Sequence, residues 1–291
     1  MEQQPPRPEQ AAKAANPDLD GVQALLTFIV PQDTKPYFKS SALTGGSPEV
    51  FFKSEEREVT IRDMRPLASG LSMDRHGFEL HSHRTQVEDL FDDEQVDAIY
   101  DPEIEALLKR VTGADRVVVF DHTRRSDAPE GAANRDGARG PATRVHVDYT
   151  VKSGPVRARD ALGAEAVHRV LDSGGRIVQI NVWRPISAQV NRSPLALADA
   201  GSVLMEELVA TDQIFPDRIG EIYQLAHAPE QRWYWAPGMK REEVLLIKGW
   251  DSLDDGRARF TPHGAFQLPE QNPQTPPRES IEVRTYLIFE G

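Results

Sequence analysis

The chain contains no cysteine, and that one absence removes disulfide scaffolds, thiolate zinc sites, iron–sulfur clusters and cysteine nucleophiles together. Any metal must then rest on His, Asp or Glu. Long apolar runs are also missing: no stretch approaches the ~18 residues that a membrane-spanning helix needs. Residues 1–20 are rich in Pro, Gln and Ala and lack the apolar core of a signal peptide. A soluble, cytoplasmic protein with a disordered leader over 1–20 is the expectation. Positive charge is scarce as well. With 34 Lys+Arg against 46 Asp+Glu, the net charge of −12 suits poorly a phosphate backbone, which is bound by clustered basic side chains; nucleic acid is not an expected partner. Gly-rich phosphate loops, a nucleophile elbow and a zincin helix are absent from the sequence, and no segment repeats.

What is present reads as one domain over 21–291, because β-barrels with helical additions often run well past two hundred residues. Short β-rich runs at 21–30, 50–52 and 59–61 are separated by turns at Gly45-Gly46 and Ser47-Pro48. The period then changes, and 85–91 and 102–111 are expected as helices, the second placing Ile104, Leu107, Leu108 and Val111 on one face behind an Asp101 cap. Residues 21–114 are thus expected to form an N-terminal α+β layer. Beyond it, strands are expected at 116–120, 144–149, 176–183, 222–225, 232–235, 244–248, 258–261 and 280–289, with a helix at 160–171. Short strands at this density with Gly/Pro turns point to a jelly-roll, or double-stranded β-helix, over 115–291. The segment 122–143 has almost no large apolar side chain and is expected as a loop, either a plain spacer or a lid.

The chemistry concentrates on His146-Val147-Asp148, at the end of one such run. On an extended segment residues i and i+2 project to the same side, so both ligands can reach one metal. His263, far downstream, offers a second imidazole. Two imidazoles and one carboxylate cap one face of an octahedron and leave three positions open, the requirement of a mononuclear non-haem Fe(II) site binding O2 and a chelating cosubstrate. Arg278 and Ser280 follow, spaced to share one side of the last strand, as do the basic residue and hydroxyl that bind the far carboxylate of 2-oxoglutarate in ferrous oxygenases. Arg284 has the same parity, while Ile281, Val283, Leu287 and Phe289 take the other face. Only one of the two arginines is expected to hold the cosubstrate. The alternative for His146 is a hydrogen-bonded surface imidazole, and for Arg278 a strand-edge charge.

Asn181, Trp183 and Arg184 end an apolar strand at a Pro turn, where Asn181 can orient the cosubstrate and Trp183 and Arg184 can contact substrate; a structural turn is the competing reading. Arg125 borders the 122–143 segment. Trp233 and Trp235 share a strand face, expected as core. His81-Ser-His83 repeats the i, i+2 spacing without a strand context or a carboxylate before Glu88 and is not expected to bind metal. His76, His168 and His227 are isolated.

These motifs together resemble the hydroxylase/desaturase family that includes fungal gibberellin desaturase-like proteins and the cephamycin 7α-methoxylation protein. The resemblance rests on Asp121-His-Thr-x-Arg-Arg125, His146-Val-Asp148-Tyr-Thr150, Asn181-Val-Trp-Arg-Pro185, Trp233-x-Trp235 through Asp251-Ser252, Pro262-His263 and Pro277-Arg-Glu-Ser-Ile-Glu-Val-Arg284, and it covers most of the chain beyond about residue 20. Gly264-Ala265-Phe266 stands where the family has Thr/Ser-x-Phe, a departure that concerns the pocket wall rather than the metal. The resemblance implies Fe(II), 2-oxoglutarate as cosubstrate and O2, with His146, Asp148 and His263 as ligands, Arg278, Ser280, Arg284 and Asn181 toward the cosubstrate, and Tyr149, Trp183, Arg184 and Arg125 toward a small-molecule secondary metabolite that is hydroxylated or desaturated. Two other functions fit the residues: a 2-oxoglutarate-independent non-haem iron oxygenase or epimerase, and a non-catalytic β-barrel in which Arg278 grips an acidic small molecule.

Overall fold

The computed structural model describes residues 20–134, 137–270, 272 and 274–291; the expected leader lies outside them except for Asp20. Fifteen strands form two sheets: β1 (Gly21–Ile29), β2 (Tyr37–Lys39), β3 (Glu49–Val50), β4 (Ser54–Asp63), β5 (Phe78–Ser82), β6 (Arg116–Ser126), β7 (His146–Val147), β8 (Arg176–Pro185), β9 (Leu195–Ala198), β10 (Leu208–Ile214), β11 (Ile219–Leu225), β12 (Trp233–Trp235), β13 (Glu243–Asp251), β14 (His263–Ala265) and β15 (Glu279–Phe289). One sheet runs β1-β4-β12-β9-β14-β7-β11-β10-β2-β3 and the other β5-β13-β8-β15-β6. The sheets curl over a shared interior, the expected jelly-roll. Strands of 21–114, the span expected as an N-terminal α+β layer, join both sheets: β1 and β4 extend the first through β12, and β5 edges the second beside β13.

Strand alternation shows how the sequence builds this sandwich. Along β8, Val178, Ile180 and Val182 pack outward with the helical layer, whereas Ile177 and Trp183 face the other sheet. β15 divides the same way, with Ile281, Val283 and Leu287 outward and Tyr286 and Ile288 inward. The inter-sheet space holds two apolar clusters, one around Trp183, Leu195, Leu197 and Ala265, the other around Val147, Ile177, Tyr223 and Tyr286. Between them on β8 and β15 lie Gln179, Asn181, Glu282 and Arg284, polar residues at interior parity. Each is tied down by a specific partner described below, as burial of polar groups demands.

Several local expectations give way for identifiable reasons. Residues 85–91 are not helical: Thr85 Oγ1 accepts from Val87 N, Glu103 Oε1 from Gln86 N, Gln95 Oε1 from Glu88 N and Asp89 Oδ1 from Phe91 N. Side-chain acceptors thus replace the carbonyls a helix would supply. The helical run begins after Asp92, whose carboxylate caps it, with α1 (Asp93–Gln95), a π-turn at Val96–Tyr100 and α2 (Asp101–Thr112), so Asp101 lies inside it. It ends at Gly113, φ 74°, where a residue without Cβ is favoured. The helix expected at 160–171 is two, Ser153–Leu162 and Ala164–Asp172, divided at Gly163. Residues 122–126, expected as loop, continue β6, because β15 supplies pairing partners as far as Ser126. The segment 258–261 is not a strand, and β9 and β10 were not foreseen.

Candidate metal centre and cosubstrate pocket

β14 lies between β9 and β7, and His263 stands directly opposite His146 in the ladder. Directly opposed residues share a face, so the imidazoles meet with ring centroids 4.7 Å apart. Asp148, just past β7, brings Oδ1 to 3.5 Å from His146 Nε2. Ligand atoms of His146, Asp148 and His263 all lie within 4.8 Å of one another; nitrogen and oxygen atoms bound cis at ~2.1 Å to one metal sit ~3 Å apart, so small shifts suffice.

The surrounding groups leave the correct atoms free. His146 Nδ1 is 2.9 Å from the Arg144 carbonyl and His263 Nδ1 is 3.0 Å from the Thr261 carbonyl. Each Nδ1–H donates to that oxygen, which fixes the tautomer with Nε2 unprotonated. Burial and the neighbouring His146 imidazole push the His263 pKa down, keeping it neutral as a ligand must be. Asp148 Oδ2 accepts from Asn181 Nδ2 at 2.8 Å and from Arg284 Nε at 3.2 Å. Burial alone would raise the Asp148 pKa, but the Arg284 guanidinium holds it well below the ordinary carboxylate value. Gln179 Nε2 donates to Asn181 Oδ1 at 2.6 Å, so a relay of amides orients the carboxylate.

Arg284 is fully engaged. Besides Asp148 it contacts Asp121 Oδ2 and Thr123 Oγ1, both at 2.8 Å, and Glu282 Oε1 at 2.6 Å. Arg278 is the opposite case. It is 1% exposed, its guanidinium lies over the Trp183 ring, and its Nε and Nη2 have no hydrogen-bond partner. Burial, then the proximity of Arg125, pushes its pKa down to about 10. A buried guanidinium with Nε and Nη2 unpartnered can receive an anion through both nitrogens. Arg278 shares a cavity of about 20 Å³ with Arg125, Ala142, His146, Trp183, Leu195, His263 and Glu282.

The remaining sequence candidates separate cleanly. Trp183 and Arg125 line this cavity. Ser280 is buried on the inward face of β15, opposite Arg125 in the ladder. Asn181 serves Asp148 rather than the cosubstrate side. Arg184 is corrected: one residue on from Trp183 on a strand, it faces the opposite side of the sheet and donates to Tyr100 Oη at 2.7 Å and to the His83 and Arg241 carbonyls. Tyr149 is corrected too, since it packs with Val147, Trp250 and Tyr286 in the second apolar cluster. Trp233 and Trp235 are core. His81 does sit on a strand, with Glu79 Oε2 2.7 Å from its Nε2, yet the only other metal-capable grouping among the described residues is Asp97, Asp101 and His122, where His122 Nε2 already meets Asp101 at 2.7 Å. Sequence reading missed Glu282, although its parity with Ser280 and Arg284 announces an inward side chain; Ala142 and Leu195 carry no such signal.

A family model described as an oxidoreductase/YMDC permease-like domain matches residues 26–289. The hydroxylase/desaturase efuI of Hormonema carpetanum is 33% identical over 266 residues, 82% of this chain and 85% of the relative. The alpha-ketoglutarate-dependent dioxygenase tstK of Talaromyces stipitatus is 33% identical, over 79% of this chain and 84% of its own. Among solved structures, the iron and alpha-ketoglutarate-dependent endoperoxidase NvfI superposes with a TM-score of 0.80 at 28% identity, covering 93% of this chain and 98% of that one.

Proposed function

The chain belongs to this oxidoreductase family of hydroxylase/desaturases and is an Fe(II)/2-oxoglutarate-dependent dioxygenase, and we propose that His146, Asp148 and His263 hold its iron while Arg278 holds the far carboxylate of 2-oxoglutarate. The observation that carries this reading is the pairing, across one small cavity, of three convergent ligand atoms with a buried guanidinium that has two unpartnered N–H groups. When bound, the iron with 2-oxoglutarate and O2 supplies the oxidation of an unactivated C–H bond, the cosubstrate leaving as succinate and CO2.

The protein's part is placement. The Arg144 and Thr261 carbonyls hold the imidazoles in the ligating tautomer, and Asn181 and Arg284 hold the carboxylate with Oδ1 toward them. Arg278 offers a two-point contact that the two oxygens of one carboxylate fit, so the cosubstrate's far carboxylate pairs there while its oxo-acid end faces the metal ligands. Trp183 walls the cavity and keeps water from that ion pair, which strengthens it. Substrate is assigned to the side of Arg125 and Glu282, the polar wall that neither iron nor cosubstrate uses, and its class is a small secondary metabolite, as for the relatives, with hydroxylation or desaturation as the outcome. A 2-oxoglutarate-independent oxygenase leaves the unpartnered Arg278 guanidinium without a purpose, and a non-catalytic barrel in which Arg278 grips an acidic small molecule leaves the three convergent ligand atoms without one. The composition further suggests a cytoplasmic enzyme with no nucleic-acid partner.

Anaerobic titration of the protein with Fe(II) and then 2-oxoglutarate tests the reading. A visible metal-to-ligand absorption band is expected, absent in His146→Ala, Asp148→Ala and His263→Ala; equal iron affinity in wild type and all three variants would sink the assignment.

A further inference from the structure

Arg278 precedes β15, and the ladder between β15 and β6 closes one step earlier, at Glu279 opposite Ser126. Something else must hold the root of this arginine. Asp127, the residue after β6, takes both of its main-chain groups: Asp127 N donates to the Arg278 carbonyl at 3.1 Å, and Arg278 N donates to Asp127 Oδ1 at 2.7 Å. The carboxylate's other oxygen, Oδ2, accepts from Arg192 Nε at 3.1 Å and Ser193 Oγ at 2.9 Å. From there the network spreads, since Arg192 Nη1 donates to the Thr275 carbonyl at 3.1 Å and Gln267 Nε2 donates to Ser193 Oγ at 3.1 Å. One side chain, 7% exposed, thereby joins the ends of β6 and β15 to the turn before β9.

A second observation sets this hub apart from ordinary loop packing. Ser193 is fully buried and has φ 44°, the sole non-glycine residue at positive φ among the described residues. A side chain in that region is strained and persists only where its surroundings over-determine it. Here the conformation delivers its hydroxyl to Asp127 and receives Gln267 in return.

Resting on the assignment of Arg278 to 2-oxoglutarate, we propose that Asp127 is the positioning residue for that cosubstrate, acting through the backbone of Arg278. A guanidinium stands at the end of a long side chain, so a small rotation at its Cα displaces the fork and breaks two-point contact with a carboxylate. Asp127 prevents that rotation by holding the N–H and the C=O of the same residue, and its charge faces the arginine it positions.

The test is 2-oxoglutarate affinity, read anaerobically from the absorption band of the Fe(II) protein, in Asp127→Asn. The amide keeps the shape and one acceptor but turns an N–H2 toward Arg192 and Ser193, which are donors themselves. The dissociation constant for 2-oxoglutarate is expected to rise about tenfold or more, within the range for groups that orient binding residues, while iron affinity stays unchanged and KM for 2-oxoglutarate rises more than kcat falls. Ser193→Ala, which removes one of the donors to Asp127 together with the acceptor of Gln267, should give a smaller rise and serves if the asparagine variant does not fold. Lowered thermal stability with unchanged 2-oxoglutarate affinity in both variants, while Arg278→Gln weakens it, overturns the positioning role and leaves the Arg278 assignment standing. If Arg278→Gln binds 2-oxoglutarate like wild type, the underlying assignment falls and this proposal with it.

Discussion

Arg284 Nε lies 3.2 Å from Asp148 Oδ2, the oxygen turned away from His146. That contact divides labour between two arginines of equal parity, Arg284 within the last strand and Arg278 just before it: the first anchors the carboxylate proposed as a metal ligand and the second keeps Nε and Nη2 unpartnered. Arg284→Gln is therefore expected to weaken iron binding roughly 10–100-fold, as loss of groups behind a metal ligand does. It should also cost about 3–5 kcal/mol of stability by stranding buried carboxylates. Arg278→Gln should instead leave iron affinity intact and cost 2-oxoglutarate binding on the order of 2–5 kcal/mol. Calorimetric titration of each variant with each ligand decides it, and a drop in 2-oxoglutarate affinity confined to Arg284→Gln exchanges the roles.

Asn181→Ala removes the shorter of the two hydrogen bonds on Asp148 Oδ2 and strands Gln179. About tenfold weaker iron binding is expected, with 2-oxoglutarate affinity unchanged once iron is saturating. Were 2-oxoglutarate affinity alone to fall, Asn181 would belong to the cosubstrate after all.

How much of this was legible follows from where the information sits. The convergence of His146 and Asp148 was, because His-x-Asp encodes its geometry in a two-residue period, and the inward face of β15 was, because Ile281, Val283 and Leu287 mark the outward one. The same period excluded Arg184 from the face of Trp183, a signal present in the sequence and not used. Arg278 and Arg284 could not be ranked, since the partners that occupy Arg284 come from Asp121, Thr123 and Asp148 on other segments. The hold of Asp127 on Arg278 spans 151 residues and leaves no local trace. Residues 85–91 failed as a helix for the same reason in miniature: the acceptors that unwind it, Gln95 and Glu103, lie outside the window.

Arg184 is structural, so Arg184→Met should destabilise the protein by about 3 kcal/mol, the scale for leaving buried acceptors such as the His83 and Arg241 carbonyls unsatisfied. Catalytic constants per folded molecule should not change. A raised substrate KM at unchanged melting temperature would return Arg184 to the substrate side.

Acid should unfold the protein partly through Asp74. Burial pushes this carboxyl upward, but hydrogen bonds from Arg176 Nη2 at 2.6 Å and Lys248 Nζ at 2.7 Å prevail and lower its pKa from 3.8 to about 2. The unfolded chain then binds the proton first as pH falls, so this contribution is fully present above pH ~4 and is lost on the way toward pH ~2. Asp74→Asn should flatten the dependence of the denaturation midpoint on pH in that window alone. An unchanged acid limb would show that the half-exposed carboxylate is already screened by solvent.

Finally, the cavity bounded by His146, His263, Trp183 and Arg278 measures about 20 Å³, room for roughly one water and far below the several hundred Å³ of a ligand pocket. A dicarboxylate and a substrate cannot enter unless a wall moves. Six of its lining residues, Arg125, His146, Trp183, Leu195, His263 and Glu282, belong to strands, and Arg278 is clamped beside one. Ala142 alone sits on a loop, tied to the barrel by its carbonyl, which accepts from Ala265 N at 2.7 Å. Strand walls are held by ladders, on both sides except at the edge strand β6 that carries Arg125, and open at a higher free energy than a loop does. The stretch 137–143 is therefore expected to exchange its amide hydrogens fast in the free protein and slowly once Fe(II) and 2-oxoglutarate are bound. Exchange there that is slow from the outset and indifferent to both ligands would place the moving wall elsewhere, on the Arg278 side.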